Sequence, residues 1–357
     1  MKIGKFDIKY PIIQGGMGVG ISWDKLAGTV SLEGGLGVIS AVGTGYYNNL
    51  AFSAKNINGR PRDTINFYST AALEEIVKNA RKICGDKPLA ANILYAINDY
   101  SKVVVDACKA GIDIIITGAG LPLSLPQDAK DYPNVALVPI VSSARALKLI
   151  IKKWGKHNKL PDAIIVEGPK SGGHQGFTYE QCFEEEYQLE NILPPIIEEA
   201  NKYNIPVVAA GGIWDKNDID KFMDMGCEGV QMATRFIATH ECDVDNTMKE
   251  MLIDAKEEDI KLVKSPVGLP ARAVMTQLQS DIVEHSAPEV KCISNCVAPC
   301  HRGEEAKAVG FCIADRLADA YHGDKQTGLF FTGSNGYKID KIISVKELMH
   351  KLVHGED

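Results

Sequence analysis

Eight short apolar runs, bounded by Gly, Pro or Asp, recur along the 357-residue chain: residues 11–14, 37–40, 89–92, 113–117, 136–141, 163–167, 207–210 and 229–232. Within each run the side chains are apolar at successive positions rather than at alternate ones. A strand covered on one face alternates, whereas a parallel strand covered on both faces does not have to. Between the runs lie segments of helical period, at 23–32, 71–83, 101–109, 144–154, 189–203 and 216–225. Parallel strands need crossover connections, and eight of them in succession predict a (β/α)8 TIM barrel.

An open doubly wound sheet is the competing architecture. It would carry a Gly-rich phosphate loop after its first strand and an acidic residue closing the second. Gln14-Gly-Gly-Met-Gly-Val-Gly20 is glycine-rich but lacks the G-x-G-x-x-G spacing, and Val38-Ile-Ser40 stands where the acid would be. The barrel is therefore the better reading.

The helix that should follow the eighth strand appears only at 345–353. Residues 1–239 and 329–357 are expected to form the barrel. Residues 240–328 are expected to form a mostly helical insertion that caps the C-terminal mouth, with helices at 246–256 and 304–321. A second excursion, at 41–66, leaves from the same face.

The mouth should gather the residues just after each strand: Gln14 to Met17, Asn92, Thr117 to Gly120, Gly168 to His174, Ala210 to Ile213 and Gln231 to Thr234. In Glu167-Gly-Pro-Lys-Ser-Gly-Gly-His-Gln-Gly176, glycines let the backbone turn tightly and approach a flat ring, and they deliver His174 to the end of a strand. A histidine that bonds only within its own loop is the plainer reading of this stretch alone. Gly211 and Gly212 after strand seven, and Ala233 and Thr234 after strand eight, stand where barrels commonly bind phosphate.

Composition narrows the partner. The net charge of −7 is spread along the chain, which leaves no basic patch for nucleic acid and no polybasic anchor. No run reaches the ~18 apolar residues of a membrane span, and the first residues have no signal-peptide core. A cytoplasmic protein with a small-molecule substrate is expected. Nine cysteines, an odd number, suit thiols or metal ligands better than a disulfide framework. Cys292, Cys296, Cys300 and Cys312 form C-x3-C-x3-C-x11-C, a spacing that suits an iron–sulfur cluster such as [4Fe-4S]. Zinc, or thiols without metal, are the alternatives.

Pro11-Ile-Ile-Gln-Gly-Gly-Met-Gly18, Gly34-Gly-Leu-Gly37, the Gly-Gly-His174 loop, Ala209-Ala-Gly-Gly-Ile213, Gly229-Val-Gln-Met-Ala-Thr234, Gly328-Leu-Phe-Phe-Thr-Gly333 and Ser344-Val-Lys-Glu-Leu348 occur in this order. Together they resemble the nitronate monooxygenase (2-nitropropane dioxygenase) family, whose relatives include FMN-dependent enoyl-ACP reductases. The resemblance implies FMN. Gly15, Gly16 and Met17 would lie along the flavin ring, Asn92 at its polar edge, and Glu167, Gly172 and Gly173 beside it. Gly211, Gly212, Gln231, Met232, Ala233 and Thr234 would hold the phosphate, and His174 would take the catalytic position.

Two reactions follow from this likeness: oxidation of an alkyl nitronate to a carbonyl compound and nitrite, or NAD(P)H-dependent reduction of an enone or enoyl thioester. A non-catalytic flavin or electron-transfer module would not need His174. The chain departs from the family in having Lys170-Ser171, where relatives carry an acidic residue and alanine. A lysine close to His174 would disfavour the imidazolium. The cysteine spacing is similar, with one residue more in its first gap, to the cluster motif of flavin-barrel dienoyl reductases.

Overall fold

The computed structural model describes residues 1–49, 68–284, 296–298, 300 and 311–355. Eight parallel strands form one sheet: β1 Ile12–Gln14, β2 Gly37–Ser40, β3 Leu89–Leu94, β4 Ile114–Gly118, β5 Ala136–Val141, β6 Ile164–Glu167, β7 Val207–Ala210 and β8 Gly229–Met232. From β2 to β8 each strand pairs with its sequence neighbour, and β8 pairs with β1. Closure is completed by a parallel bridge between Ile13 and Leu36. There the Gln14 N–H donates to the Leu36 carbonyl at 3.0 Å, and the Leu36 N–H donates to that of Ile12 at 2.9 Å. The result is a TIM-barrel α/β fold.

The unbroken apolar runs are explained by two cores. Ile13, Val38, Ala90, Ile114, Ile116, Val138, Ile165 and Val208 fill the lumen. Their neighbours Ile12, Ile39, Ala91, Ile115, Leu137, Ile164, Val166 and Val207 pack outward with the helices. Adjacent residues of a strand point to opposite faces, so burial on both faces requires apolar side chains throughout. The bottom of the lumen is closed by the N-terminal ladder Lys2–Ile3 with Phe6–Asp7, which adds Ile3 and Ile8 to the inner core.

The surrounding helices are α1 Asp24–Leu32, α2 Thr70–Cys84, α3 Tyr100–Ala110, the single turn α4 Leu125–Asp128, α5 Ala144–Trp154, α6 Leu189–Asn201, α7 Lys216–Asp224 and the short α8 Thr234–Ile237. Several carry local caps, such as Ser69 and Ser143, whose hydroxyls accept from Ala72 and Ala146. At the start of α1 stands Trp23, which cannot cap. Asp243, far along the chain, instead accepts from the backbone N–H groups of Trp23, Lys25 and Leu26 at 2.8, 3.2 and 3.2 Å. That contact ties the chain beyond β8 to the first helix.

The insertion contains α9 Asn246–Asp254, α10 Gln277–Val283 and α11 Ile313–Tyr321, and α12 Val345–His354 follows it. The expected helix at 304–321 is described only from Ile313. The insertion's helices are joined by an antiparallel pair, β9 Ile260–Lys264 and β10 Pro270–Val274, which no local period announces. The cause is tertiary: Gly173–His174 adds a third strand to it, with Ala271 opposite His174 and Arg272 opposite Gly173. Phe330 and Phe331 extend that same edge of β10, where the Val274 N–H donates to the Phe330 carbonyl at 2.9 Å.

Candidate active site

At the top of the lumen the apolar filling stops. Counting inward-facing positions along the strands, Ser40 follows Val38, Asn92 follows Ala90 and Glu167 follows Ile165. Gln231 follows the outward Val230 and so also faces in. These polar side chains end the inner core at the C-terminal mouth. Gly16 lies against them so closely that a Cβ there would stand 2.3 Å from the Cβ of Asn92. A Cβ on Gly15 would meet Gln231 at 3.3 Å and Ala233 at 3.4 Å. The Asn92 amide has no hydrogen-bond partner among the described residues.

The loop after β6 is held from beneath by one buried side chain. The Gln175 amide Nε2 donates to the carbonyls of Ser171 and Gly173, both at 2.9 Å, and its own N–H donates to the Pro270 carbonyl at 2.9 Å. Gly173 has φ +73°, which an L side chain rarely adopts. A Cβ on Gly172 would stand 2.7 Å from the backbone of Thr332. Arg272 adds a bond from Nη2 to the Pro169 carbonyl at 2.8 Å.

A second cradle lies beside this loop. Gly211 and Gly212 have φ of +101° and +81°. A Cβ on Gly211 would press on the Gly168 carbonyl at 2.8 Å, and one on Gly212 would press on the Lys170 side chain, also at 2.8 Å. The Gly333 N–H donates to the Thr234 hydroxyl at 2.9 Å, and the Asn335 amide donates to the Gly212 carbonyl at 2.7 Å. Thr234 opens α8, where the first N–H groups of a helix have no intrahelical acceptor. Successive N–H groups in such a turn suit an anion. Met232 differs from its neighbours: its side chain packs in the outer core and its carbonyl accepts from Gly15 at 2.8 Å.

Two titratable groups in the mouth are perturbed by burial. It pushes the Glu167 carboxyl up to about 7 and the His174 imidazole down to about 4, so the ring is neutral at neutral pH. The neighbouring lysine is not the cause. Lys170 is exposed, its stem crosses Gly212, and its charge is felt by Glu190. His174 packs edge-on to Phe331, with ring centroids 5.3 Å apart, and its Nε2 lies 2.7 Å from Ser265 Oγ.

Residues 1–355 match the nitronate monooxygenase family. The chain belongs to that family. Its members are FMN-dependent oxidoreductases acting on small molecules. It is 26% identical over 303 residues to a probable nitronate monooxygenase of Staphylococcus aureus strain JH9, covering 78% of this chain and 81% of that one. A probable nitronate monooxygenase of Staphylococcus saprophyticus is 27% identical over 300 residues, covering 76% and 77%. Among solved structures, FabK from Thermotoga maritima superposes with a TM-score of 0.72 at 25% identity, over 97% of this chain and 92% of that one. Nitroalkane oxidase from Streptomyces ansochromogenes does so with 0.67 at 19%, over 97% and 95%.

The candidate residues fall into two neighbourhoods at one mouth. Gly15, Gly16, Asn92, Gln231 and Ala233 form the first; Gly172, Gly211, Gly212 and Thr234 form the second, joined by Gly333. A cleft of about 740 Å3 at the opposite end, lined by Lys9, Gly34, Lys87 and His350, meets none of these loops. Gln175, Ser265 and Asn335 also shape the site and were not singled out from the sequence. Only Gln175 carried a local signal, its place beside His174.

Cys296, Cys300 and Cys312 are partly buried, and Cys292 lies outside the described residues. Among the described residues no three His, Cys, Asp or Glu side chains are grouped to hold a metal ion. Nor is any described helix long and apolar enough to cross a membrane.

Proposed function

We propose that this protein is an FMN-dependent nitronate monooxygenase that oxidises alkyl nitronates to carbonyl compounds and nitrite. The observation that carries the reading is the family match across the whole chain, to which the mouth adds a neutral histidine beside a glycine cradle. The residues fit the cofactor: the cradle at Gly211, Gly212 and Thr234 has room only because no Cβ fills it, and its N–H groups suit a phosphate. Gln231 and Ala233 border it, and Met232 contributes through packing.

Gly15, Gly16 and Met17 would admit the flat ring, Asn92 would bond its polar edge, and Glu167, Gly172 and Gly173 would flank it. When bound, FMN supplies reversible electron transfer. His174 stands over this site to bind and orient a substrate oxygen, and the cap formed by β9 and β10 restricts water.

The second reading is an NAD(P)H-dependent enoyl reductase, favoured by the likeness to FabK. Purified holoenzyme given a propyl nitronate in air should form nitrite, and His174→Ala should lower that rate by ~10²–10³ with the flavin still bound. Enoyl-thioester-dependent NAD(P)H oxidation without nitrite formation would replace the first reading by the second. Release of no FMN on acid extraction would overturn both.

The cysteine motif extends the proposal, with Cys292, Cys296, Cys300 and Cys312 holding a [4Fe-4S] cluster. Cys296 and Cys312 both help raise the Tyr46 phenol pKa, after burial and Asp315.

A further inference from the structure

Ser265 comes from the insertion, directly after β9, and lies 91 positions beyond the histidine it touches. Its side chain is 5% exposed, so its hydroxyl proton needs an acceptor within the protein. A serine hydroxyl has one proton to give and two lone pairs to receive with. The Val267 N–H approaches Oγ at 3.5 Å and uses a lone pair. The remaining partner for the hydroxyl proton is His174 Nε2, at 2.7 Å. The reverse arrangement, with Nε2–H donating to Oγ, would bury the serine proton without an acceptor, at a cost of ~1–3 kcal/mol.

We propose that Ser265 is the positioning residue of the site: by donating to Nε2 it fixes His174 as the Nδ1–H tautomer and presents a neutral N–H donor to the substrate. The inference rests on the flavin-oxidoreductase reading for its substrate, a nitronate oxygen or a thioester carbonyl oxygen, both of which accept a hydrogen bond. Several observations agree with it. Nδ1 has no partner among the described residues, the residue as a whole is half-buried, and burial keeps the imidazole neutral. The ring cannot swing freely, because Phe331 packs edge-on against it and the backbone of His174 is paired with Ala271.

A neutral imidazole whose free nitrogen is protonated orients and polarises an oxygen; it does not abstract a proton through that nitrogen. Through Nδ1–H, His174 acts as an orienting donor to the substrate oxygen.

The test is nitrogen NMR of holoenzyme labelled with ¹⁵N in its histidine rings, the His174 resonances being assigned as those missing from His174→Asn. The wild type should show Nδ1 protonated and Nε2 as an acceptor. Ser265→Ala should exchange between tautomers, and Ser265→Thr, which keeps the hydroxyl, should restore the single form. Kinetically, Ser265→Ala should lower kcat/KM about tenfold with flavin content and thermal midpoint unchanged, and Ser265→Thr should recover most of the loss. A wild-type ring protonated at Nε2, or a Ser265→Ala spectrum identical to wild type, overturns the proposal. The NMR readout needs no substrate. An enzyme inactive on both nitronate and enoyl thioester would therefore refute the functional reading and leave the tautomer result standing.

Discussion

Replacing Gly16 by alanine tests how the glycines of the mouth act. The added Cβ would stand 2.3 Å from Asn92 Cβ, 3.0 Å from Asn92 Cγ and 3.2 Å from Val38 Cγ1. Carbon atoms in good contact are ~3.5–4.0 Å apart, so the first of these pairs must separate by more than about 1 Å. Neither side yields easily. Asn92 lies in β3, paired with Ser40 on one side and Ile116 on the other, and its carbonyl accepts from Ala41 at 3.0 Å.

Overpacking of this kind costs roughly 1–3 kcal/mol. If the strain falls on the flavin site, the same free energy corresponds to about a 5- to 150-fold weaker FMN affinity. The assay is fluorescence titration of flavin-stripped protein with FMN, alongside urea unfolding. The double variant Gly16→Ala with Asn92→Gly removes the clashing Cβ. It should recover stability without recovering affinity, because the Asn92 amide has gone with it. Wild-type FMN affinity in folded Gly16→Ala would refute the placement of the ring beside Gly16 and Asn92.

Two further outcomes are expected. Burial raises Glu167 to about 7, so between its unfolded value of ~4.3 and that pH the folded state holds the extra proton, and stability is lost as pH rises through the window. Glu167→Gln should gain on the wild type between pH 5 and pH 8 by no more than about 3 kcal/mol in flavin-stripped protein. His174 cancels from this comparison, and parallel urea midpoints at the two pH values would contradict it. Anaerobically prepared protein should contain iron and acid-labile sulfide, both lost in Cys296→Ser; zinc, or no metal, would reject the cluster.

All eight strands were legible because burial on both faces imposes a chemical requirement on every residue, and the resulting runs need no knowledge of partners. The helices of the barrel were read to within a few residues for a similar reason, as with Ala144–Trp154, where apolar spacing and the Ser143 cap are both local. The one-turn α4 and α8 were missed, since four residues are too few to show a period. Glycines marked the mouth because a close approach forbids Cβ whatever residue lies opposite, although which residue lies opposite was hidden.

The order of strands, the polar end of the lumen and the site of the histidine loop were thus determined by the sequence itself. The sheet formed by β9, β10 and Gly173–His174 was decided only by tertiary structure, because an edge two residues long carries no periodicity and exists by virtue of its partner. The same holds for Asp243 on the first turn of α1 and for Ser265 on His174. A hydrogen bond between residues separated by 91 or 220 positions leaves no mark on either segment, and its energy is set by geometry that exists only once the barrel has closed.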